Sequence, residues 1–413
     1  MKRRQLLQAG LACASTLVAV GSHSWFARSD AQSITSGTNP KRLIVIFLRG
    51  AVDGLNVVVP YREAAYYDAR ATIAIPQPGQ NGGALDLDGQ FGLHPALAPI
   101  LPLWQQGSLA FVHSSGSRDA TRSHFEAQDN MESGITGTQK IHDGWMNRLL
   151  SSLSGKNPIQ AVNVGDVTPR ILSGRMPVAT LGLGRRAANP ISLDRPQVGN
   201  AFDRLYSGND KISQAYQEGR VARKALLADL EADMKMANKG APLPSGFASD
   251  AQHLAQIMNK DPRVVLAFMA LGGWDTHVNQ GASQGQLARN LEQLGKGLAV
   301  LQTTLGSTYT DTNILVMSEF GRTVHENGDG GTDHGHGNVM WLLGGGVRGG
   351  KVYGDWRGLA SDQLYQQRDL AVTTDFRDVI AALLERHLHL PDRALSQILP
   401  SYQPMQKNLP LYG

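Results

Sequence analysis

The sequence predicts an α/β fold, a doubly wound mixed, mostly parallel sheet with helices on both faces. Apolar, β-branched runs typical of buried strands alternate with amphipathic helical stretches along the chain. Residues 264–271 form a nearly continuous apolar run, which is typical of a buried parallel strand. The 413 residues, 41% hydrophobic and 18% charged, are sufficient for a large core in one or two domains.

The two patterns alternate over most of the chain. The predicted strands lie at 43–48, 109–113, 161–164, 178–181, 264–271, 314–316 and 339–343. The predicted helices lie at 61–70, 94–106, 123–132, 212–238, 251–258, 286–305 and 374–388, the last with Thr374 or Asp375 as its N-cap. One domain at 41–405 is therefore expected, with a helical insertion around 207–260.

The first 31 residues have the features of an export signal, and a polar linker follows at 32–40. Arg3 and Arg4 form a twin arginine, an apolar segment follows, and cleavage is expected after Ala31. This pattern predicts transport by the twin-arginine export machinery to the periplasm or the cell exterior, with no stable membrane span after cleavage. The alternative is a retained anchor, although the apolar segment is short for a span and contains Ser and Thr.

Charge and cysteine content exclude several classes of function. The leader contributes +3 of the formal net charge of +4, from Lys2, Arg3, Arg4 and Arg28 against Asp30. The remaining chain shows no clustered basic face, so nucleic acid is not an expected partner. Cys13 is the only cysteine and lies in the leader, so the mature chain is expected to have neither disulfides nor thiolate chemistry.

The stretch from Ile314 to Val347 contains the densest set of metal-ligand side chains. A strand-like run ends at Glu319, a loop rich in Gly, Asp and His follows, and a second apolar run closes it. Ligands bind beyond the carboxyl ends of strands in open α/β sheets. The loop residues Asp333, His334 and His336 are therefore candidate metal ligands, with a polar surface loop as the alternative interpretation.

Carboxylates and histidines also follow other predicted strands. Asp275 and His277 follow the strand at 264–271, and side chains two residues apart in an extended segment point the same way. Asp53 follows the first strand, where it is either a ligand or a turn residue. Glu319 is either a ligand or the ion-pair partner of Arg322. This ligand set predicts a divalent metal, Zn first, with Mg, Mn or Ca as alternatives.

Ser123 is the candidate nucleophile, with a metal-bound hydroxide as the alternative. It opens a predicted helix after a strand, where free N–H groups can bind an anion, and a metal that lowers its pKa would activate it. The alternative is an ordinary helix cap, a capping box with Glu126. Arg322 or Arg122 is the candidate for binding the anionic oxygens of a substrate, because a guanidinium fork suits phosphate and sulfate.

Several motifs together resemble the exported bacterial proteins of domain-of-unknown-function family 1501, within the alkaline phosphatase/sulfatase superfamily. The motifs are RLIVIFLRGAVDGLN, RSHFEAQDNMESG, LGGWDTH, VMSEFGRT and DHGHGNVMWLLGGGVRGGKVYG. The segment TTDFRDVIAALLERHLHLPD is similar to the C-terminal helix of the superfamily. The resemblance runs from about residue 42 to residue 392 and implies an alkaline-phosphatase-like fold.

The resemblance also implies a site with two metals between strand ends. Asp53 resembles the acid on the nucleophile side, Ser123 lies at the place of the nucleophile, and Asp275 with His277 resembles the pair on the other metal. His336 resembles a late metal-binding histidine. The Asp-His-Gly step of the superfamily is Glu319-Phe320-Gly321 in this chain, so one histidine is missing there and His334 is the candidate replacement. The formylglycine sulfatase signature is absent.

These observations predict an exported metal-dependent hydrolase of phosphate or sulfate esters, with a small anionic ester as substrate. The alternative is a non-catalytic envelope or periplasmic protein for binding or assembly, with a degenerate alkaline-phosphatase-like fold. The missing histidine favours the alternative. The concentration of Asp, Glu and His favours the enzyme, because a charged cluster is difficult to retain without an ion. The sequence gives no signal for an oligomeric state.

Overall fold

The computed structural model describes residues 40–137, 141–153, 160–165, 168–181, 203–208, 210, 213, 246–406 and 409–413. The predicted export signal, the linker before residue 40, and the helix predicted at 212–238 apart from Ser213 lie outside these residues. Among the described residues, no helix is both long enough and apolar enough to cross a membrane.

Strands and helices alternate through the described chain. The strands are β1 Arg42–Leu48, β2 Val58–Val59, β3 Leu85–Asp86, β4 Gly92–Leu93, β5 Leu109–Gly116, β6 Gln160–Val164, β7 Ala179–Leu181, β8 Val264–Leu271, β9 Thr312–Ser318, β10 Asn338–Gly344, β11 Lys351–Tyr353 and β12 Thr374–Asp375. The α-helices are α1 Gly54–Val57, α2 Ala64–Ala69, α3 Leu101–Gln105, α4 His124–Ser133, α5 Trp145–Leu153, α6 Phe247–Lys260, α7 Gln286–Leu305, α8 Phe376–Arg386 and α9 Asp392–Ile398. Short 3₁₀ helices lie at Pro95–Ile100, Arg170–Leu172, Gly306–Asp311 and Ser361–Gln363.

The large sheet has the order β11-β5-β10-β9-β1-β8-β6-β7 in the described residues, and β12 also pairs with β5. Strand β10 is antiparallel to both neighbours, β5 and β9, while the other pairs are parallel. The predicted mixed, mostly parallel sheet is confirmed. Leu48 pairs with both Leu271 and Ser318, so β1, β8 and β9 end side by side.

The sheet is covered on both faces, as predicted. Alternate residues of β1 enter different cores, because successive side chains of a strand point to opposite faces. Ile44 and Ile46 pack in a core with α6, α7 and the 3₁₀ turn Pro95–Ile100. Leu43 and Val45 pack in a second core with α5, α8 and α9. Burial on both faces explains why β1 and β8 are apolar without alternation.

The cap of one helix agrees with the sequence-based expectation, and the cap of another does not. Asp375 caps α8 and forms a capping box with Asp378, which confirms the predicted cap. The predicted capping box of Ser123 with Glu126 is wrong, because the Ser123 side chain makes no cap hydrogen bond. Glu126 instead accepts a hydrogen bond from Thr121 Oγ1. The Ser123 hydroxyl is therefore not used to stabilise the start of α4.

Candidate metal centre

The common edge where β1, β8 and β9 end brings distant ligand-type residues together. Asp275 and His277 follow β8, Glu319 follows β9, and His334 lies in the connection from β9 to β10. His124 is the first residue of α4, which follows β5. His124, Asp275 and His334 each offer one ligand atom, and these atoms all lie within 4.8 Å of one another.

Four atoms converge at this point. His334 Nε2 lies 2.9 Å from His124 Nε2, 3.0 Å from His277 Nε2 and 3.4 Å from Asp275 Oδ1. Asp275 Oδ1 lies 3.6 Å from His124 Nε2 and 3.0 Å from His277 Nε2. His277 is thus adjacent to two members of the group of three, so that a third imidazole lies beside the group in the described part of the chain.

In each of the three histidines, the hydrogen bond made by Nδ1 determines that Nε2 is the nitrogen available to bind a metal. His334 Nδ1 lies 2.9 Å from the carbonyl oxygen of Arg122, and His124 Nδ1 lies 2.8 Å from Glu319 Oε1. His277 Nδ1 lies 3.1 Å from Asp333 Oδ1. These oxygens only accept, so in the neutral imidazole, the form that binds a metal, each Nδ1 carries the proton and each Nε2 presents a lone pair.

The residues therefore fit a metal cation. Three lone pairs and a carboxylate oxygen face one another, which is repulsive unless a positive charge lies among them. One proton can bridge only two of these atoms, whereas a metal ion is a common partner for the ligand atoms of His124, Asp275 and His334, with His277 adjacent to two of them. Imidazole that donates its other N–H to a carboxylate or carbonyl is also the usual arrangement of metal-binding histidine.

The centre is open to solvent on one side. The side chains of His124 and His334 are 23% and 24% exposed, and those of His277 and Asp275 are 38% and 47% exposed. A structural metal site is closed by its protein ligands, whereas a catalytic one leaves room for water or substrate. The exposure fits a site that a small molecule can reach.

Glu319 holds His124 rather than joining the four converging atoms. Its side chain is fully buried, and Oε1 accepts hydrogen bonds from His124 Nδ1 at 2.8 Å, Gly50 N at 2.8 Å and Gln128 Nε2 at 2.9 Å. Burial alone would raise the pKa of Glu319, but these hydrogen bonds outweigh it and lower the pKa. The hydrogen bond to Glu319 in turn raises the pKa of His124 against the effect of burial.

Asp333 has the corresponding role for His277. Its side chain is exposed, and Oδ1 accepts from His277 Nδ1 and, at 3.1 Å, from Asn327 Nδ2. The hydrogen bond from Asn327 lowers the pKa of Asp333, with a smaller contribution from His277, so the carboxylate stays ionised. Glu319 and Asp333 therefore lie behind the ligands, where they fix the imidazole rings.

Arg322 is part of the scaffold of the centre. Its side chain has no exposed surface, and its guanidinium donates to the carbonyl oxygens of Ala51, Thr332, Gly50 and Trp274, and to Asp275 Oδ1. These contacts leave no face for a substrate anion, so the structure does not agree with the predicted anion-binding role. Arg322 instead orients Asp275 and joins three loops.

Asp53 lies away from the converging atoms. Its carboxylate forms a buried ion pair with Arg70, at 2.5 Å (Oδ2–Nη1) and 3.0 Å (Oδ1–Nη2). Gln280 Nε2 donates to Asp53 Oδ2 at 2.6 Å. Both oxygens are therefore engaged by protein donors, and the guanidinium of Arg70 is the cation beside Asp53. This differs from the metal-ligand role expected from the resemblance.

His336 and Ser123 are close in sequence to ligands but have different surroundings. His336 is buried, stacks on Tyr365 with ring centroids 4.6 Å apart, and has a pKa lowered by burial. The Ser123 side chain makes no cap hydrogen bond at the start of α4. Of the predicted ligands, the structure brings together Asp275, His277 and His334, with Glu319 and Asp333 behind them.

His124 is the ligand-type residue that sequence reasoning did not select. It directly follows Ser123 at the start of α4. The absence of the expected histidine at Phe320 was a second signal in the sequence, because it implied that a histidine from another segment takes its place. In the structure, the Phe320 ring packs against His124 and His334, with ring centroids 5.0 and 5.1 Å away. An aromatic side chain thus stands at the expected histidine position, and imidazoles from two other segments surround it.

Comparison with known proteins places the chain in a family. Residues 40–399 match the family described as "Protein of unknown function (DUF1501)". The chain belongs to the DUF1501 family. The family expected from the motifs is confirmed, and the match covers nearly all of the described residues. No curated protein matches this DUF1501 chain.

Several solved structures resemble this DUF1501 protein remotely. One is the C-terminal periplasmic domain of EcEptC from Escherichia coli in complex with Zn, with 10% identity, a TM-score of 0.36, and coverage of 75% of this chain and 74% of that chain. A protein in the Alkaline Phosphatase Superfamily from Vibrio parahaemolyticus has 10% identity, a TM-score of 0.36, and coverage of 78% and 64%. The soluble domain of Lipooligosaccharide phosphoethanolamine transferase A from Neisseria meningitidis has 11% identity, a TM-score of 0.34, and coverage of 76% and 81%.

Proposed function

We propose that this protein is an exported metal-dependent hydrolase of phosphate or sulfate esters. The observation that carries the proposal is the convergence of the Nε2 atoms of His124, His277 and His334 on Asp275 Oδ1. The ligands belong to one divalent ion, because Asp53 is paired with Arg70 and offers no second metal position. The twin arginine of the leader supports export.

Zinc is the proposed ion. Imidazole nitrogen with one carboxylate oxygen suits Zn, whereas Mg and Ca prefer sites built from oxygen ligands. When bound, such an ion acts as a Lewis acid on an ester oxygen and lowers the pKa of a water molecule. The chain contributes the positions of the ligands, through Glu319, Asp333 and Arg322, and an opening to solvent at Asp275 and His277.

Water, rather than Ser123, is the proposed nucleophile. A serine nucleophile needs a neighbouring base or another group that lowers its pKa. The Ser123 hydroxyl has no hydrogen-bond partner in the part of the chain that the structure describes, so no side chain is placed to remove its proton. His124, the next residue, has its Nδ1 occupied by Glu319 and directs Nε2 toward His334 and Asp275.

An ester panel tests the proposal. The zinc-loaded mature protein is assayed with p-nitrophenyl phosphate, bis-p-nitrophenyl phosphate and p-nitrophenyl sulfate, before and after chelation. We expect turnover that is lost on chelation and in His334→Ala and Asp275→Ala. Ser123→Ala should retain it, as should His325→Ala, a matched control because His325 is an exposed residue of the same loop. Loss of turnover in Ser123→Ala with zinc still bound would assign the serine as nucleophile.

The non-catalytic alternative makes a different prediction in the same assay. A binding or assembly protein with a degenerate site would hold zinc and turn over none of the three esters. Bound zinc without turnover on any of them would therefore replace the hydrolase proposal with that alternative.

A further inference from the structure

We propose that Arg122 and Arg368 together form a binding site for the phosphate or sulfate group, beside His334. The inference rests on the proposed function for the kind of anion. Of the two arginines that the sequence offered for this role, Arg322 and Arg122, it selects Arg122 and adds Arg368.

Asp369 holds the two arginines next to each other. Its carboxylate is fully buried, Oδ2 accepts from Arg122 Nη2 at 2.7 Å, and Oδ1 accepts from Arg368 Nε at 2.9 Å. The backbone of Asp369 is paired in both directions with Tyr365, at 2.8 and 3.0 Å. Two positive charges share one negative charge, so the pair keeps one net positive charge on a rigid support.

Both arginines are attached to the same metal-ligand residue. The carbonyl oxygen of Arg122 accepts from His334 Nδ1 at 2.9 Å, and Arg368 Nη2 donates to the carbonyl oxygen of His334. His334 Nε2 is one of the four converging atoms. The arginine pair is therefore next to the metal centre, where the anionic group of an ester has to lie for hydrolysis.

Arg122 and Arg368, unlike Arg322, have N–H groups that make no hydrogen bond within the described chain. The side chains of Arg122 and Arg368 are 33% and 41% exposed. Arg122 uses Nη2 for Asp369 and Gln366, and its buried Nε has no hydrogen-bond partner. Within the described chain, Nη1 of each arginine is also without a hydrogen bond. Oxygens of phosphate or sulfate are suitable acceptors for such forks.

Calorimetric titration with inorganic phosphate and sulfate tests the arginine pair without turnover. Binding to the zinc-loaded wild type should weaken by about tenfold or more in Arg122→Gln and in Arg368→Gln, because each loses a charged hydrogen bond. Arg357→Gln should leave it unchanged, because Arg357 is exposed and pairs with Asp355. Zinc content should be the same in all variants. Arg368→Lys keeps a charge beside Asp369 and controls for folding; it should bind more weakly than wild type.

The outcomes separate this inference from the proposed function. Phosphate binding that depends on both arginines, in a protein that hydrolyses no ester, would support the arginine pair and remove the hydrolase. Ester turnover combined with phosphate binding that neither variant weakens would do the reverse. A zinc-loaded wild type that binds neither anion would overturn the inference.

Discussion

His124 Nδ1 donates to Glu319 Oε1 over 2.8 Å, across a separation of 195 residues in sequence. This hydrogen bond joins the start of α4 to the end of β9. It places the proton of His124 on Nδ1, so that Nε2 is a lone pair directed toward Asp275 and His334. The position of a proposed metal ligand on a helix is thus determined by a buried carboxylate at the edge of the sheet.

Replacement of Glu319 should weaken metal binding without removing a ligand. Glu319→Gln keeps the shape of the side chain but removes the charge that fixes the ring of His124. We expect zinc affinity to fall by about 10- to 100-fold, the usual effect of losing such a partner. Competition with a chromogenic chelator measures it. Glu292→Gln is the matched control, because Glu292 is exposed on α7 and pairs with Lys296. Equal affinity in both variants would contradict the role of Glu319.

Asp53→Asn should change stability and leave the metal content unaltered. The substitution leaves the buried guanidinium of Arg70 without its counter-ion, and breaking a buried pair typically costs about 3–5 kcal/mol. Urea unfolding measures the loss, and metal analysis of the same sample should show the wild-type zinc content. Asp355→Asn, at an exposed pair with Arg357, is the control. Loss of zinc with unchanged stability would restore Asp53 as a ligand.

Arg322→Met should destabilise the fold, because its carbonyl partners would remain buried. Each unsatisfied buried group costs about 1–3 kcal/mol, and Arg322 serves the carbonyl oxygens of four residues. We expect the free energy of unfolding to drop by at least about 3 kcal/mol in urea, with Arg357→Met unchanged. An arginine that only bound substrate would instead raise KM and leave the unfolding curve as in wild type.

We expect the free energy of unfolding to fall in mild acid because of three buried histidines. His94 Nε2 lies 3.1 Å from the carbonyl oxygen of Ala282, and His113 Nε2 lies 3.0 Å from that of Val58. Burial lowers the pKa of His94, His113 and His387 to about 4 each. Below pH 6.5 the unfolded chain binds protons at these residues while the folded chain does not. Their contribution is therefore full above pH 6.5 and is lost as the pH falls to about 4.

Urea unfolding between pH 7 and pH 4 measures this effect. Each of the three histidines contributes about 3 kcal/mol to the loss, from the difference between a pKa of 6.5 and one of about 4. In His113→Gln the free energy of unfolding should vary less steeply over this range than in wild type. The exposed control His325→Gln should retain the wild-type slope. An identical slope in His113→Gln and wild type would show that His113 is not the group responsible.

Much of the fold follows from patterns that the sequence displays directly. The strand predicted at 264–271 and the helix predicted at 286–305 match β8 and α7. Strand β8 is buried on both faces, which requires an unbroken apolar run. Helix α7 is buried on one side, which requires apolar residues three and four positions apart. Asp275 and His277 could be predicted as metal ligands from the sequence, because they lie two residues apart just after strand β8.

The site was harder to predict, because ligands and supporting residues have the same side chains. A carboxylate after a buried strand can bind an ion or pair with a distant guanidinium, and the sequence does not show that Arg70 reaches Asp53. His334 and His336 lie two residues apart in one glycine-rich loop, yet His334 joins the centre while His336 stacks on Tyr365. The residue between them is glycine because the backbone of Arg322 lies too close for a side chain: a Cβ on Gly335 would lie 2.4 Å from the carbonyl carbon of Arg322. Such tertiary contacts have no local signal in the sequence.

The zinc content of the purified mature protein tests the central claim most directly. We predict about one zinc ion per chain by elemental analysis, with His334→Ala and His124→Ala losing it and His325→Ala retaining it. His124→Ala is the sharpest of these variants, because only the folded arrangement identifies His124 as a ligand. A wild-type protein that binds no metal after exposure to zinc, or a His124→Ala variant with wild-type content and affinity, would contradict the account.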